Sequence, residues 1–205
     1  MLLYHRCKAM RVIAFIIILL YASASLATQR NVDYLAPMDS DIVMGEKNAP
    51  HTIIEYSSLS CPLCGYFHAN IFPRIDERYL KAKNAKFIFR HFPIKSVDLK
   101  AGAVSLCVPG DKRGVFLDVL FKTQRNWSIE ASNPSETLEA LARLGGINGD
   151  VAKKCLEDKG LEERLIKSRE YAQNYMHVNS TPTFIINGKK FDGVVGMDII
   201  EKELS

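Results

Sequence analysis

Apolar residues follow three successive patterns along most of the chain. In residues 51–95, the runs Thr52–Ser57 and Lys86–Phe92 are short and rich in β-branched or aromatic residues, which is typical of buried strands. Between them, apolar residues recur every four positions to about Tyr79, which predicts a helix with a kink at Pro73. The first pattern therefore predicts strand, helix, strand.

Residues 96–176 carry helix-spaced apolar positions and no strand signal. One helix start is marked clearly, because Asn133 is a favoured N-cap residue and Pro134 suits the first helical position. Gly145 and Gly146 are expected to end that helix. This stretch is predicted to be an all-helical block.

Strand signals return in residues 177–205. The runs Thr183–Ile186 and Lys190–Val195 flank Asn187-Gly188, the residue pair favoured in two-residue hairpin turns. Met197–Leu204 then predicts a short closing helix. The last block is expected to be an antiparallel strand pair followed by a helix.

The first 27 residues differ from the rest of the chain. Residues 1–11 include three basic residues, residues 12–21 are continuously apolar, and mostly small residues follow up to Ala27. This layout predicts a cleavable signal peptide over residues 1–27. An uncleaved membrane anchor is the alternative, although the apolar stretch is shorter than the ~20 residues of a membrane span. Residues 28–50 show little periodicity and are interpreted as an N-terminal extension.

Composition and charge exclude several classes of protein. The 205 residues are 47% hydrophobic and 24% charged, which indicates a folded globular chain. Lys and Arg total 27 against 23 Asp and Glu, and three basic residues precede residue 28 with no acid, so the remainder balances at 24 against 23. No basic surface of the kind that binds nucleic acid is expected.

The number and positions of the cysteines indicate that the protein can form disulfides. The chain has five cysteines: Cys7, Cys61, Cys64, Cys107 and Cys155. Cleavage of the signal would remove Cys7 and leave an even number in a compartment that permits disulfides.

Cys61 and Cys64 lie two residues apart where a predicted strand passes into a predicted helix. The N-terminus of a helix favours the thiolate of Cys61, and Pro62 suits the first helical position. Cys64, one turn later, is placed to close a disulfide with Cys61, which is the arrangement that thiol–disulfide exchange needs. The pattern therefore predicts a redox-active Cys61–Cys64 disulfide.

Two alternatives use the same cysteines. A zinc site could take Cys61 and Cys64, but structural zinc usually draws on a second paired element, and none is evident. An inert structural disulfide would add little stability in so short a loop. His68, one turn further along, is interpreted as a packed or solvated helix residue rather than a ligand, and no metal site is predicted.

Cys107 and Cys155 each fall on the apolar side of a predicted helix in the helical block. We expect a structural disulfide between them, with two separate buried thiols as the alternative.

The stretches Glu55–Cys64, Phe67-His68 and Ser180–Phe184 together resemble the DsbA-like thiol–disulfide oxidoreductases, in particular the bacterial branch of this family. The resemblance covers essentially all of the chain after residue 27. It implies an α/β thioredoxin fold, with residues 51–95 and 177–205 forming its two parts and residues 96–176 forming an inserted all-helical subdomain.

The resemblance also implies roles for three further residues. Thr181-Pro182 is expected to be a cis peptide beside Cys61, with the Thr181 backbone pairing with an extended substrate; alternatively, Pro182 only begins a strand. Glu55 is expected to be a buried acid that accepts the proton of Cys64; the alternative is an outward-facing strand residue.

One position departs from the family pattern. Well-known members carry His immediately before the second cysteine, and this chain has Leu63 there. Without an imidazole hydrogen bond to the thiolate, we expect a less acidic Cys61 and a less oxidising disulfide than in those members.

These observations predict an exported oxidoreductase that introduces disulfides into reduced or unfolded secreted proteins in the periplasm. It is expected to be a monomer, to need no cofactor, and to be re-oxidised by a DsbB-type membrane protein linked to quinone, as the family implies. Two alternatives remain open: an isomerase or reductase kept reduced by another partner, and a non-catalytic thioredoxin-like module that binds peptides.

Overall fold

A computed structural model describes residues 36–128 and 131–205 of the chain. The described elements are β1 (Ile42–Gly45), β2 (His51–Ser57), α1 (Pro62–Asn70), α2 (Phe72–Ile75), a π-helical turn (Asp76–Leu80), β3 (Ala85–His91), α3 (Ser96–Cys107), a 3-10 turn (Gly110–Lys112), α4 (Arg113–Lys122), α5 (Gln124–Trp127), α6 (Pro134–Leu144), α7 (Gly149–Glu157), α8 (Lys159–Met176), β4 (Thr183–Ile186), β5 (Lys189–Asp192) and α9 (Met197–Glu203). The predicted signal peptide, with Cys7, lies outside the described residues.

The strands form one sheet in the order β1-β3-β2-β4-β5. Strands β2 and β3 are parallel, and the other neighbouring pairs are antiparallel. The predicted α/β thioredoxin fold is confirmed, with the helices from α3 to α8 inserted between β3 and β4. Residues 53–57 of β2 are all buried, so its sequence is almost continuously apolar. Glu55 is the charged residue inside that run.

The helix after Cys61 is shorter than its apolar spacing predicted. Helix α1 ends at Asn70, the chain bends at Ile71, and α2 and the π-helical turn continue to Leu80. Pro73 explains the break, because it has no N–H for the carbonyl four residues earlier and its ring crowds that carbonyl. The break precedes the proline by two residues, whereas a kink was expected at Pro73 itself.

Strand β1 lies within residues 28–50, which were interpreted as an N-terminal extension, and the sequence analysis did not predict a strand there. Ile42 is buried and Val43 exposed, an alternation too brief to be recognised in the sequence. Gly45 ends the strand at φ +86, and a Cβ there would lie 2.6 Å from the carbonyl oxygen of Ala85. Close packing against β3 therefore requires glycine.

The helical block is covalently closed by one disulfide. Cys107 at the end of α3 is bonded to Cys155 in α7, with 48 positions between them in sequence. On the chain-entropy model, closing a loop of this length contributes about 4 kcal/mol to stability. The cap at Asn133 also forms, since its side chain accepts a hydrogen bond from the backbone N–H of Glu136.

The predicted hairpin is present, with Asn187 and Gly188 both at positive φ. Strand β5 ends at Asp192 rather than at Val195, because Gly193 takes a positive φ and turns the chain away from the sheet. Within residues 36–128 and 131–205, none of the helices has the length and apolarity needed to cross a membrane.

Candidate active site

Cys61 is the N-cap residue of α1 and follows the short loop that leaves β2. Its backbone is extended at φ −76 and ψ 123, and Pro62 occupies the first turn of the helix. The side chain is half-buried, and its Sγ lies 3.5 Å from the carbonyl oxygen of Thr181. The reactive sulfur is therefore accessible to solvent at the N-terminus of α1.

The surroundings of Cys61 favour its thiolate. A hydrogen bond from the Cys64 thiol is the largest cause, and with smaller contributions from Thr181 and from the backbone N–H groups of Cys64 and Leu63 it lowers the Cys61 pKa from 9.0 to about 5, against the opposing effect of burial. Leu63 contributes through its backbone N–H, because its exposed, apolar side chain has no hydrogen-bond donor. At neutral pH, Cys61 is therefore predominantly ionised.

Cys64 has the opposite environment. Its side chain is fully buried, and this burial raises the pKa of the thiol well above 9.0. The hydrogen bond with Cys61 and the negative charge of Glu55 raise the pKa further. One thiolate and one shielded thiol thus lie side by side, and both are free in the structure.

The loop before β4 lies beside Cys61 and forms the other side of the candidate site. Thr181-Pro182 is a cis peptide bond, and the contact of Thr181 with Cys61 joins residues that are 120 positions apart. Pro182 accepts a hydrogen bond from the backbone N–H of Gly193. The structure therefore brings Thr181, Pro182, Cys61 and Cys64 together.

Glu55 lies beneath the cysteines. It is fully buried, so the alternative of an outward-facing strand residue is wrong. Its Oε2 lies 2.7 Å from Nε2 of His68, and its Oε1 is buried with no hydrogen-bond partner among the described residues. One carboxyl oxygen of Glu55, Oε2, is therefore hydrogen-bonded to His68, and the other, Oε1, is free to take a further partner.

The sequence did not single out His68 as a partner of Glu55. Its ring is 3% exposed and stacks on Phe121 of α4 at 4.0 Å between ring centroids. The sequence feature that could have indicated the contact is the spacing of His68, which lies one helical turn after Cys64 and is buried on the same helix. His68 is a packed helix residue, which is one of the two environments expected for it, but its hydrogen bond with Glu55 was not predicted from the sequence.

The loop that carries Cys61 is fixed by Asp98 of α3, a residue that the sequence pattern did not reveal. Asp98 is 2% exposed, and its carboxylate accepts hydrogen bonds from the backbone N–H of Ser60 at 2.7 Å and from the hydroxyl of Ser58 at 3.0 Å. It also accepts from the N–H groups of Ile94 and Lys95. One carboxylate thus ties two loops together directly before the reactive cysteine.

Gln124 of α5 supports the same loop from the other side. Its Nε2 donates to the carbonyl oxygens of Leu59 at 2.7 Å and Cys61 at 3.0 Å. No sequence pattern indicates this contact, because it joins residues more than 60 positions apart.

We expect Asp98→Asn to loosen this loop. An amide presents an N–H₂ group where a carboxylate oxygen now accepts, so at least one backbone N–H loses its partner, at a cost of about 2 kcal/mol. Urea unfolding measures that loss, and alkylation rates of Cys61 against pH are expected to show a higher pKa. The control is Asp39→Asn, at an exposed position. Equal stability of the two variants would contradict this role for Asp98.

Within the described parts of the chain, no group of three or more His, Cys, Asp or Glu side chains is arranged to hold a metal ion. His68, the third residue of the zinc alternative, is directed to Glu55.

Known proteins show the same architecture. Residues 38–204 match the family model described as thioredoxin. The chain is 28% identical to the crystal structure of Wolbachia pipientis α-DsbA1, with a TM-score of 0.76 over 83% of this chain and 92% of that one. It is 26% identical to oxidised BdbD from Bacillus subtilis, with a TM-score of 0.72 over 82% of this chain and 95% of that one.

A putative protein-disulfide oxidoreductase of Rickettsia bellii is 32% identical over 152 residues, which are 73% of this chain and 58% of that protein. The chain therefore spans little more than half the length of this relative. The family match, this relative and the two solved structures agree in indicating one family. The chain belongs to the thioredoxin family and, within it, to the DsbA-like proteins.

Proposed function

We propose that the chain is a protein thiol–disulfide oxidoreductase that introduces disulfides into substrate proteins through Cys61 and Cys64. The observation that carries this proposal is the difference between the two sulfurs. The pKa of Cys61 is lowered to about 5 at an accessible helix N-terminus, whereas burial raises the pKa of Cys64 well above 9.0. Exchange needs one exposed thiolate and one protected thiol.

The reaction follows from this asymmetry. A substrate thiolate attacks Cys61 Sγ of the oxidised protein, the Cys61–Cys64 bond breaks, and Cys64 leaves as a thiolate that takes up a proton. A second substrate thiolate then attacks the substrate sulfur of the mixed disulfide. The substrate leaves with a new disulfide, Cys61 leaves as a thiolate, and two electrons have passed to the protein.

The low pKa of Cys61 supports oxidation as the working direction. A sulfur that is stable as a thiolate is a good leaving group, so the mixed disulfide resolves readily toward the substrate disulfide. The same stabilisation favours the reduced form of the protein, which makes its disulfide an oxidant. The Thr181 backbone beside Cys61 is proposed to pair with an extended segment of the substrate.

The compartment and partners belong to the same proposal. Residues 1–27 act as a cleavable signal peptide, the folded part works in the periplasm on reduced or unfolded secreted proteins, and a DsbB-type membrane oxidase linked to quinone restores the disulfide. The signal-like N-terminal sequence and the DsbA-like relatives support this assignment.

Two assays on the oxidised and the reduced protein test the function. The oxidised protein is expected to restore activity to reduced ribonuclease with one disulfide transferred per protein, and the reduced protein to reduce insulin only slowly. Fast insulin reduction without ribonuclease oxidation would favour the reductase alternative, and failure of both would indicate a binding module. Cys61→Ser is the control that should be inactive in both assays.

A further inference from the structure

Each turnover must place a proton on Cys64, or remove one, inside the protein. The Cys64 side chain is fully buried, so bulk water does not reach its sulfur directly. The charge of Glu55 contributes to the raised pKa of this thiol. A proton partner for the buried Cys64 must therefore be a protein group, and Glu55 is the carboxyl group whose charge acts on its thiol.

Glu55 does not act as an isolated carboxylate. Its Oε2 lies 2.7 Å from His68 Nε2, and both side chains are buried. At this distance a proton must lie between the two atoms, because otherwise their lone pairs would face each other. Oε1 remains without a hydrogen-bond partner among the described residues. Neutral His68 can donate this proton to Oε2, so the hydrogen bond holds the pair together while Oε1 stays open to a second proton.

The surroundings of His68 keep this pair apart from other charges. Its ring contacts in the described residues are Phe67, Phe72, Phe87, Phe89 and Phe121. The charge of Glu55 acts on the thiol of Cys64, which is in turn hydrogen-bonded to Cys61. In such an apolar setting an uncompensated charge is costly, so a second proton taken up by the pair neutralises the charge of Glu55.

We propose that His68 is a positioning residue that fixes Glu55 and shares its proton, so that the Glu55–His68 pair protonates Cys64 when the disulfide opens and takes the proton back when it closes. This inference rests on the proposed function. When the substrate breaks the Cys61–Cys64 bond, the electroneutral pair passes a proton to the Cys64 thiolate. The products are the Cys64 thiol and a Glu55 carboxylate that accepts a hydrogen bond from neutral His68, so charge is conserved.

The rate of disulfide closure against pH tests this role. The probe is the mixed disulfide between Cys61 and glutathione, from which Cys64 expels glutathione in a single turnover. In His68→Phe, which fills the aromatic pocket but cannot share a proton, we expect closure to slow by about tenfold or more at pH 7 and to recover at high pH, where hydroxide removes the proton. A purely structural defect would slow closure by the same factor at every pH.

Two further variants make the outcome decisive. His68→Gln keeps a hydrogen-bond donor for Glu55 but cannot titrate, so it should show the same pH-dependent defect with less loss of stability. His51→Gln, at the half-buried start of β2, is the matched control for removal of an imidazole. Wild-type pH profiles in both His68 variants, or a uniform slowing, would overturn the inference alone. A wild-type protein that exchanges no disulfide with glutathione would overturn the proposed function with it.

Discussion

Cys64→Ser is expected to stop the protein after the first exchange step and leave it joined to substrates through Cys61. The Cys64 thiol is the largest cause of the low Cys61 pKa, yet the Ser hydroxyl and the backbone N–H groups at the helix N-terminus still favour a Cys61 thiolate. That thiolate reacts with disulfides, but no neighbouring sulfur remains to release the product. Turnover should fall to the background rate, and intact mass spectrometry should show protein–substrate adducts that reductant reverses.

Cys61→Ser is the matched control. It leaves Cys64 as the free thiol, but that thiol is fully buried and its pKa is raised, so adducts should be scarce. Adducts of equal amount in the two variants would contradict the assignment of Cys61 as the attacking sulfur. The disulfide between Cys107 and Cys155 stays intact in both variants and is not expected to form adducts.

The redox pair could be predicted because its chemistry depends on neighbours in the chain. Cys61, Pro62 and Cys64 create a helix N-terminus with two sulfurs one turn apart, and this local arrangement requires no tertiary information. Strand β1 could not be predicted, because its four residues become a strand only by pairing with β3. The cis peptide at Thr181 was expected from the family resemblance, since the sequence itself favours the trans form.

The groups that support the cysteines depend on the tertiary fold. Glu55 meets His68 across 13 positions, whereas Asp98 meets Ser58 across 40. Neither contact follows from periodicity, because an acid or a histidine on an element carries no mark of its partner. Such pairings become visible only when the positions of the elements are known.

The inserted helices do more than enlarge the domain. Asp98 of α3 fixes the loop before Cys61, Gln124 of α5 holds the carbonyl of Cys61, and Phe121 of α4 stacks on His68. The reactive sulfurs come from the thioredoxin part, but their orientation is set by the helical block. Changes in that block are therefore expected to alter exchange chemistry without touching either cysteine.

A second large effect is expected on acidification, where His91 at the end of β3 should destabilise the fold. The ring is completely buried, and this burial, aided by the charge of Arg113, lowers the His91 pKa from 6.5 to about 3. Between these two values the unfolded chain binds a proton that the folded protein excludes. The contribution of His91 is thus fully present above pH 6.5 and is lost as the pH falls toward 3, at about 1.4 kcal/mol per pH unit and about 5 kcal/mol in total.

Urea unfolding at a series of pH values measures this effect. His91→Gln should lose some stability at pH 7, because the ring packs edge-on against Phe89 and its Nε2 lies 3.4 Å from the Ser105 hydroxyl. The variant should nevertheless lose stability less steeply than wild type below pH 6.5, since no buried imidazole remains to be protonated. His51→Gln removes an imidazole from the half-buried start of β2 and controls for the loss of a histidine as such. If His91→Gln and wild type lost stability in parallel down to about pH 4, the acid sensitivity would have to arise from the carboxylates and not from His91.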